Sequence, residues 1–234
     1  MNEQPPLQAL YPFLHGGAKD RASENAALLE SVRQKANHHA DVFRRFFAAN
    51  GQVVVDAAAT LATAYRNGGT LFTMGNGGSS CDAAHVAVEF LHPVTAGRQA
   101  LGAVNLVNDT AMLSAVGNDV GFGHVFVRQL LAQGRKGDCL MGISTSGNSA
   151  NLLRAFSTAG EMGIATIGLA GGTGGEMARA GLDHCLLVPD DSIHRVQEVH
   201  VAIYHILWDL VHTLLADGRW AAGLERPERL ERQR

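Results

Sequence analysis

Only three cysteines occur in the 234 residues, Cys81, Cys139 and Cys185, and none pairs as C-x-x-C. Their odd number and wide spacing fit a reducing compartment better than a disulfide framework. No run of lysine or arginine stands out, and the formal net charge is −3. The chain therefore lacks the electrostatic footprint of a duplex-binding protein, and no direct nucleic-acid contact is expected. Met1 to Pro12 contains no cationic start leading into an apolar run, so no secretory signal is expected. No stretch approaches the roughly 20 consecutive apolar residues of a membrane helix. The glycine-rich segments match neither G-x-x-x-x-G-K-[ST] nor G-x-G-x-x-G, which argues against a nucleotide P-loop and a dinucleotide fold. These absences point to a cytoplasmic protein with no membrane partner.

What is present is a globular composition, 46% hydrophobic and 18% charged, in a chain long enough to bury a sizeable core. Residues 1–20 are rich in Pro and Gly and read as an irregular extension. Leu28, Leu29, Val32, Ala36, Val42, Phe43, Phe46 and Phe47 then recur at mostly three- and four-residue steps, predicting a helix from about Arg21 to Ala49. Asn50-Gly51 is a stop signal, and a second helix is expected from Val53 to Arg66. Short apolar runs follow, each leading to a loop or helix: Thr70–Met74, Ala100–Leu106, Cys139–Ile143, Ala165–Leu169 and Cys185–Val188. A long helix is expected from Ser192 to Leu215, and residues 217–234 form a charged tail. Strands alternating with helices predict an α/β fold with a parallel sheet covered on both faces. Ligands of such sheets bind at the carboxyl ends of the strands.

Two loops occupy those ends. Gly75-Asn76-Gly77-Gly78-Ser79-Ser80 follows the first strand, and Ser144-Thr145-Ser146-Gly147-Asn148-Ser149 follows the third. Glycines let the backbone approach an anion, helix N-termini supply free N–H groups, and serines add hydroxyl donors. Such loops can hold a phosphate without Lys or Arg. The competing reading is an ordinary turn with serine as helix cap.

These segments, with Gly117-Asn118-Asp119 and Arg195-Val196-Gln197-Glu198-Val199-His200, resemble the phosphoheptose isomerase branch of the SIS (sugar isomerase) domain family. The resemblance spans roughly Ala36 to Leu215. It implies a single SIS domain over residues 21–216, with a flavodoxin-like parallel five-stranded sheet flanked by helices and preceded by two N-terminal helices. It further implies a homotetramer and conversion of sedoheptulose 7-phosphate to glycero-manno-heptose 7-phosphate through an enediol. His85 and Glu89, four residues apart, share a helix face. Spacing alone leaves them open as a surface contact or a catalytic pair. By resemblance, Glu89 is the base and His205 its acid/base partner, while His85, Glu89, Gln197 and His205 hold zinc. Eight residues between Gln197 and His205, about 12 Å of helical rise, is wide for two ligands of one ion. Asn76, Gly77, Gly78, Ser79, Ser144, Thr145, Ser146, Asn148, Ser149 and Gln197 are the expected substrate and phosphate contacts. Asp119 matches a substrate-side residue, with a helix N-cap as the alternative for it and for Asp109.

Two positions depart from the family pattern. Pro93 stands where an arginine is usual, and His194 where an aspartate is usual; Arg98 is a candidate to replace the missing charge. Isomerisation of a different sugar phosphate therefore stays open. So does a non-catalytic SIS tetramer that binds phosphosugar or the replication initiator, although the presence of Glu89 and His205 favours catalysis.

Overall fold

The computed structural model describes residues 21–216. The expected extension over 1–20 and the charged tail over 217–234 lie outside the described residues. The chain divides into two compact units between Asp41 and Val42. In the first, the described residues are helical and expose Leu28, Leu29 and Val32. The second holds the sheet.

One helix, α1 (Arg21–Arg66), stands where two were expected. The Asn50-Gly51 stop does not form. Asn50 Nδ2 donates to the Phe46 carbonyl at 3.0 Å, one turn back, so the side chain follows the helix instead of diverting it. Beyond it Val54, Ala58, Leu61 and Tyr65 are buried at three- and four-residue steps. Packing of that face outweighs the cost of about 1 kcal/mol for a helical glycine.

The remaining elements are β1 (Leu71–Gly75), α2 (Gly78–Leu91), β2 (Ala103–Asn105), α3 (Thr110–Asp119), α4 (Val125–Gln133), β3 (Cys139–Ser144), α5 (Ala150–Met162), β4 (Ala165–Gly171), β5 (His184–Val188) and α6 (Ile193–Ala216). The second strand is shorter than its apolar run, and α4 was not anticipated. The five strands are parallel in the order β2-β1-β3-β4-β5, the flavodoxin-like order. Alternate strand residues face two cores. Leu71, Cys139, Met141 and Ile143 join α1, α2 and α6 on one face, while Phe72, Met74 and Leu140 join α4 and α5 on the other.

This order has a topological switch point between β1 and β3, where the chain departs to opposite faces and a crevice opens at the strand ends. Both predicted loops lie there. Among the described residues α6 alone has the length and mean hydropathy, 1.4 over its most apolar window, of a membrane span, against the expectation of no such stretch. Val196, Val199, Ile203, Leu207 and Val211 account for that character, because they are buried in the sheet's core.

Candidate active site

The first loop turns from β1 into α2 so tightly that a Cβ on Gly75 would stand 2.2 Å from the Ser79 carbonyl oxygen. Only glycine fits there. The second loop packs as closely: Gly147 has φ +66, and a Cβ on it would meet the Gly174 carbonyl. Asn148 Oδ1 accepts from the Glu176 backbone N–H at 2.9 Å and pins the same contact.

The loops are tied together. Asn76 and Asn151 exchange two amide hydrogen bonds, each 2.9 Å, which set the N-termini of α2 and α5 side by side. Neither helix has a side-chain cap. Ser149 occupies the N-cap position of α5, but its hydroxyl meets that of Ser144 at 3.1 Å instead. Ser149 therefore does not cap α5 through its side chain, and the Leu152 N–H in the first turn donates to Asn151 Oδ1 at 3.1 Å. Asp109, by contrast, does cap α3, accepting from the Met112 N–H at 2.9 Å. Asp119 is the exposed last residue of α3, bonded to Asn118, so it is not an N-cap.

The hydroxyls divide by role. Ser144 is buried and also accepts from the Gly147 N–H, so it shapes the loop. Ser80 donates back to the Gly77 carbonyl, and Ser79 is buried. Thr145 and exposed Ser146 line a cavity of about 300 Å³ with Gly172, Thr173, Asp191 and Val196. Gly77 and Gly78 are exposed at the mouth of the first loop.

The side chains suited to proton transfer gather where α2 packs on α6. Potential ligand atoms of His85, Glu89 and His205 all lie within 4.8 Å of one another. His85 Nε2 is 3.2 Å from Glu89 Oε1, and the His85 and His205 rings meet edge to face, centroids 5.0 Å apart. Two imidazoles and a carboxylate fit zinc, which in catalytic sites takes three such ligands and leaves a position for substrate. Burial, and His85 beside it, lower the pKa of His205 against the opposing pull of Glu89. A lowered pKa favours the neutral imidazole, the form able to accept a proton or a metal.

Gln197 stands at the other end of the seam. Its Nε2 donates to Asp82 Oδ2 at 2.9 Å, and its amide covers Gly78 so closely that a Cβ there would lie 2.8 Å from Nε2. Gln197 is thus brought to the first loop and keeps its carbonyl oxygen as a further ligand or substrate acceptor. Asp82 has its pKa raised by burial, with the Gln197 hydrogen bond and His85 acting against that rise.

Sequence reasoning missed four residues here: Asp82, Asn151, Tyr204 and Trp208. Tyr204 Oη lies 2.9 Å from His85 Nδ1. Its own pKa is raised by burial, then by Asp82 and Glu89. Trp208 Nε1 donates to the Glu89 carbonyl at 2.9 Å. The available signal was helical spacing, because 82, 85 and 89 share one face of α2, and 197, 204, 205 and 208 one face of α6. Of the departures, Pro93 follows the end of α2, and His194 is exposed in the first turn of α6. Arg98 pairs with Asp209 at 2.7 Å and stacks over Trp208 at 5.5 Å.

Comparison with known proteins identifies the family and the fold. Residues 36–171 match the SIS domain family. A phosphoheptose isomerase of Aneurinibacillus thermoaerophilus is 45% identical over 170 residues, 72% of this chain and 85% of the relative. One of Solidesulfovibrio magneticus is 42% identical over 201 residues, 86% of this chain and 97% of the relative. The solved phosphoheptose isomerase of Neisseria gonorrhoeae superposes with a TM-score of 0.75 at 38% identity, covering 80% of this chain and 99% of its own. With its parallel sheet, its paired loops at the switch point and relatives matched over most of their length, the chain belongs to the SIS domain family, in the branch of the phosphoheptose isomerases.

Proposed function

We propose that the protein is a cytoplasmic isomerase that interconverts D-sedoheptulose 7-phosphate and D-glycero-D-manno-heptose 7-phosphate, supplying heptose for a lipopolysaccharide precursor. The observation that carries this reading is the convergence of His85, Glu89 and His205 at the α2–α6 seam, along the helix whose N-terminus is tied to that of α5 at the carboxyl ends of β1 and β3.

The phosphate binds between the N-terminus of α2 and the Ser144–Ser149 loop. Backbone N–H groups and the hydroxyls of Thr145, Ser146 and Ser149 hold it. Asn76 keeps the two loops in register, and Gln197 closes over Gly78. Asp190 and Asp191 also line the cavity, the former paired with Arg45 at 3.6 Å.

Glu89 takes the proton from the carbon beside the carbonyl. The electron pair moves into a carbon–carbon double bond, and the carbonyl oxygen becomes the hydroxyl of an enediol. His205 gives that oxygen its proton and removes one from the neighbouring hydroxyl. Glu89 then returns its proton to the former carbonyl carbon, which completes the aldose. Acid–base assistance of this kind contributes about 100- to 10,000-fold to a rate. A zinc ion held by His85, Glu89 and His205 would supply Lewis-acid polarisation of the substrate carbonyl.

The exposed Leu28, Leu29 and Val32 on α1 supply an apolar stripe for assembly, consistent with a homotetramer. Pro93 and His194 favour a second reading, in which the same chemistry acts on another sugar phosphate. Incubation with sedoheptulose 7-phosphate, with and without chelator, followed by NMR, tests the reaction and the metal together. Aldose product is expected, and loss of turnover on chelation. Absence of turnover with tight phosphosugar binding would move the assignment to the second reading or to a sensor.

A further inference from the structure

Tyr204 lies one residue before His205 on α6, is 2% exposed, and the reaction just described makes no use of it. Its hydroxyl and the Glu89 carboxylate engage opposite nitrogens of the same ring. Nδ1 of His85 is 2.9 Å from Tyr204 Oη, and Nε2 is 3.2 Å from Glu89 Oε1. The two rings meet edge to face at 76°, centroids 5.4 Å apart, so the ring of His85 is also held by packing.

We infer that Tyr204 is a positioning residue, whose hydroxyl fixes the ring and tautomer of His85 and keeps Nε2 directed at Glu89. The inference rests on the proposed metal reading only for its second consequence.

The hydrogen-bonding capacities decide the arrangement. An ionised carboxylate only accepts, a neutral imidazole has one donor and one acceptor, and a hydroxyl does either by rotating. With no cation present, one pattern satisfies all three groups: Nε2–H donates to Glu89, and the Tyr204 hydroxyl donates to Nδ1. If a cation takes the Nε2 lone pair, the ring proton belongs on Nδ1. It then donates to the Tyr204 oxygen once the hydroxyl has turned. The ring stays in place through both states, because its partner on the Nδ1 side serves either tautomer. Outer partners of metal-bound histidines act this way, and their loss typically weakens metal binding about 10- to 100-fold.

Tyr204→Phe removes the hydroxyl and retains the ring. In metal-free wild-type protein, nitrogen-15 NMR of His85 should show the proton on Nε2 and a hydrogen-bonded Nδ1. In Tyr204→Phe the two tautomers should mix. Zinc affinity, measured by competition with a chromophoric chelator, should fall about 10-fold or more, with thermal melting retained. A wild-type His85 protonated on Nδ1, or mixed before any substitution, overturns the inference. So do ring-nitrogen shifts or zinc affinity that the substitution leaves unchanged. If the wild-type chain takes up no zinc, the metal reading fails by itself, and the His85 spectra decide the role of Tyr204 alone.

Discussion

At the residue scale, the chemistry depends on where single carboxyl and imidazole groups stand. Glu89→Gln keeps the shape of the side chain and removes its basicity. Its kcat should fall by at least about 100-fold, while calorimetry with a phosphosugar should give a dissociation constant close to wild type. A variant with undiminished turnover would remove Glu89 from the role of base. Asn151→Ala should act in the opposite way. It breaks both bonds to Asn76 and leaves His85, Glu89 and His205 untouched, so KM should rise more than kcat falls. Steady-state kinetics distinguish the two patterns. Arg98 was a candidate for the charge absent at Pro93, but its guanidinium is committed to Asp209 and to the face of Trp208. Since Trp208 donates to the Glu89 carbonyl, Arg98 reaches the site through a neighbour.

At the scale of elements, α1 shows how a local signal is overridden. Asn-Gly is a strong stop when nothing else decides, but here both sides of it carry buried faces. Gly51 then remains as an internal helical glycine, and a Cβ added there would meet nothing within 4 Å. Gly51→Ala should therefore stabilise the protein by about 0.5–1 kcal/mol, seen as a higher melting temperature. An unchanged or lower midpoint would show that the position is covered in the assembled protein. The strands were legible because apolar runs of four to seven residues bounded by loops have few other readings, and the turns after β1 and β3 because they are Gly/Ser clusters. The nine-residue α4 was not, since it is short and follows directly on a turn. Tyr204 and Asp82 were missed for a different reason, since helical spacing gives their face but not their partner. Each becomes meaningful only through a partner more than 100 residues away, 119 for Tyr204 and 115 for Asp82, and pairing across α2 and α6 is a property of packing.

On the scale of the whole molecule, a histidine away from the reacting groups sets a limit on acid stability. His200 is fully buried on α6, and among the described residues neither ring nitrogen has a hydrogen-bond partner. The Ala170 backbone lies near enough to favour its charged form, but not in hydrogen-bonding geometry. Burial dominates and lowers the pKa to about 4. An unfolded chain binds this proton near pH 6.5. Between those two pH values the unfolded state holds more protons than the folded one, so stability is full above pH 6.5 and falls as the pH drops towards 4. The loss amounts to roughly 3 kcal/mol. Melting temperatures across that range should fall more steeply in wild type than in His200→Gln. Parallel slopes would mean that other groups govern acid unfolding.

The seam between α2 and α6 has three rungs: Asp82 with Gln197, His85 with Tyr204, and the Glu89 carbonyl with Trp208. They occur in the same order on both helices, which therefore run in parallel. From Gly78, where the phosphate is proposed to sit, to His85 is seven residues of α2, or about 10 Å along its axis. On the proposed reading the seam acts as a ruler, with the anion at zero and His85 at a fixed mark. That distance lies within one helix and does not change if α2 and α6 slide, and the three rungs hold His205 of α6 to the same mark. A site of that kind would select a sugar phosphate by length before any hydroxyl is read. Values of kcat/KM for five-, six- and seven-carbon ketose phosphates should rise with chain length, and a flat series would show that the mark can move.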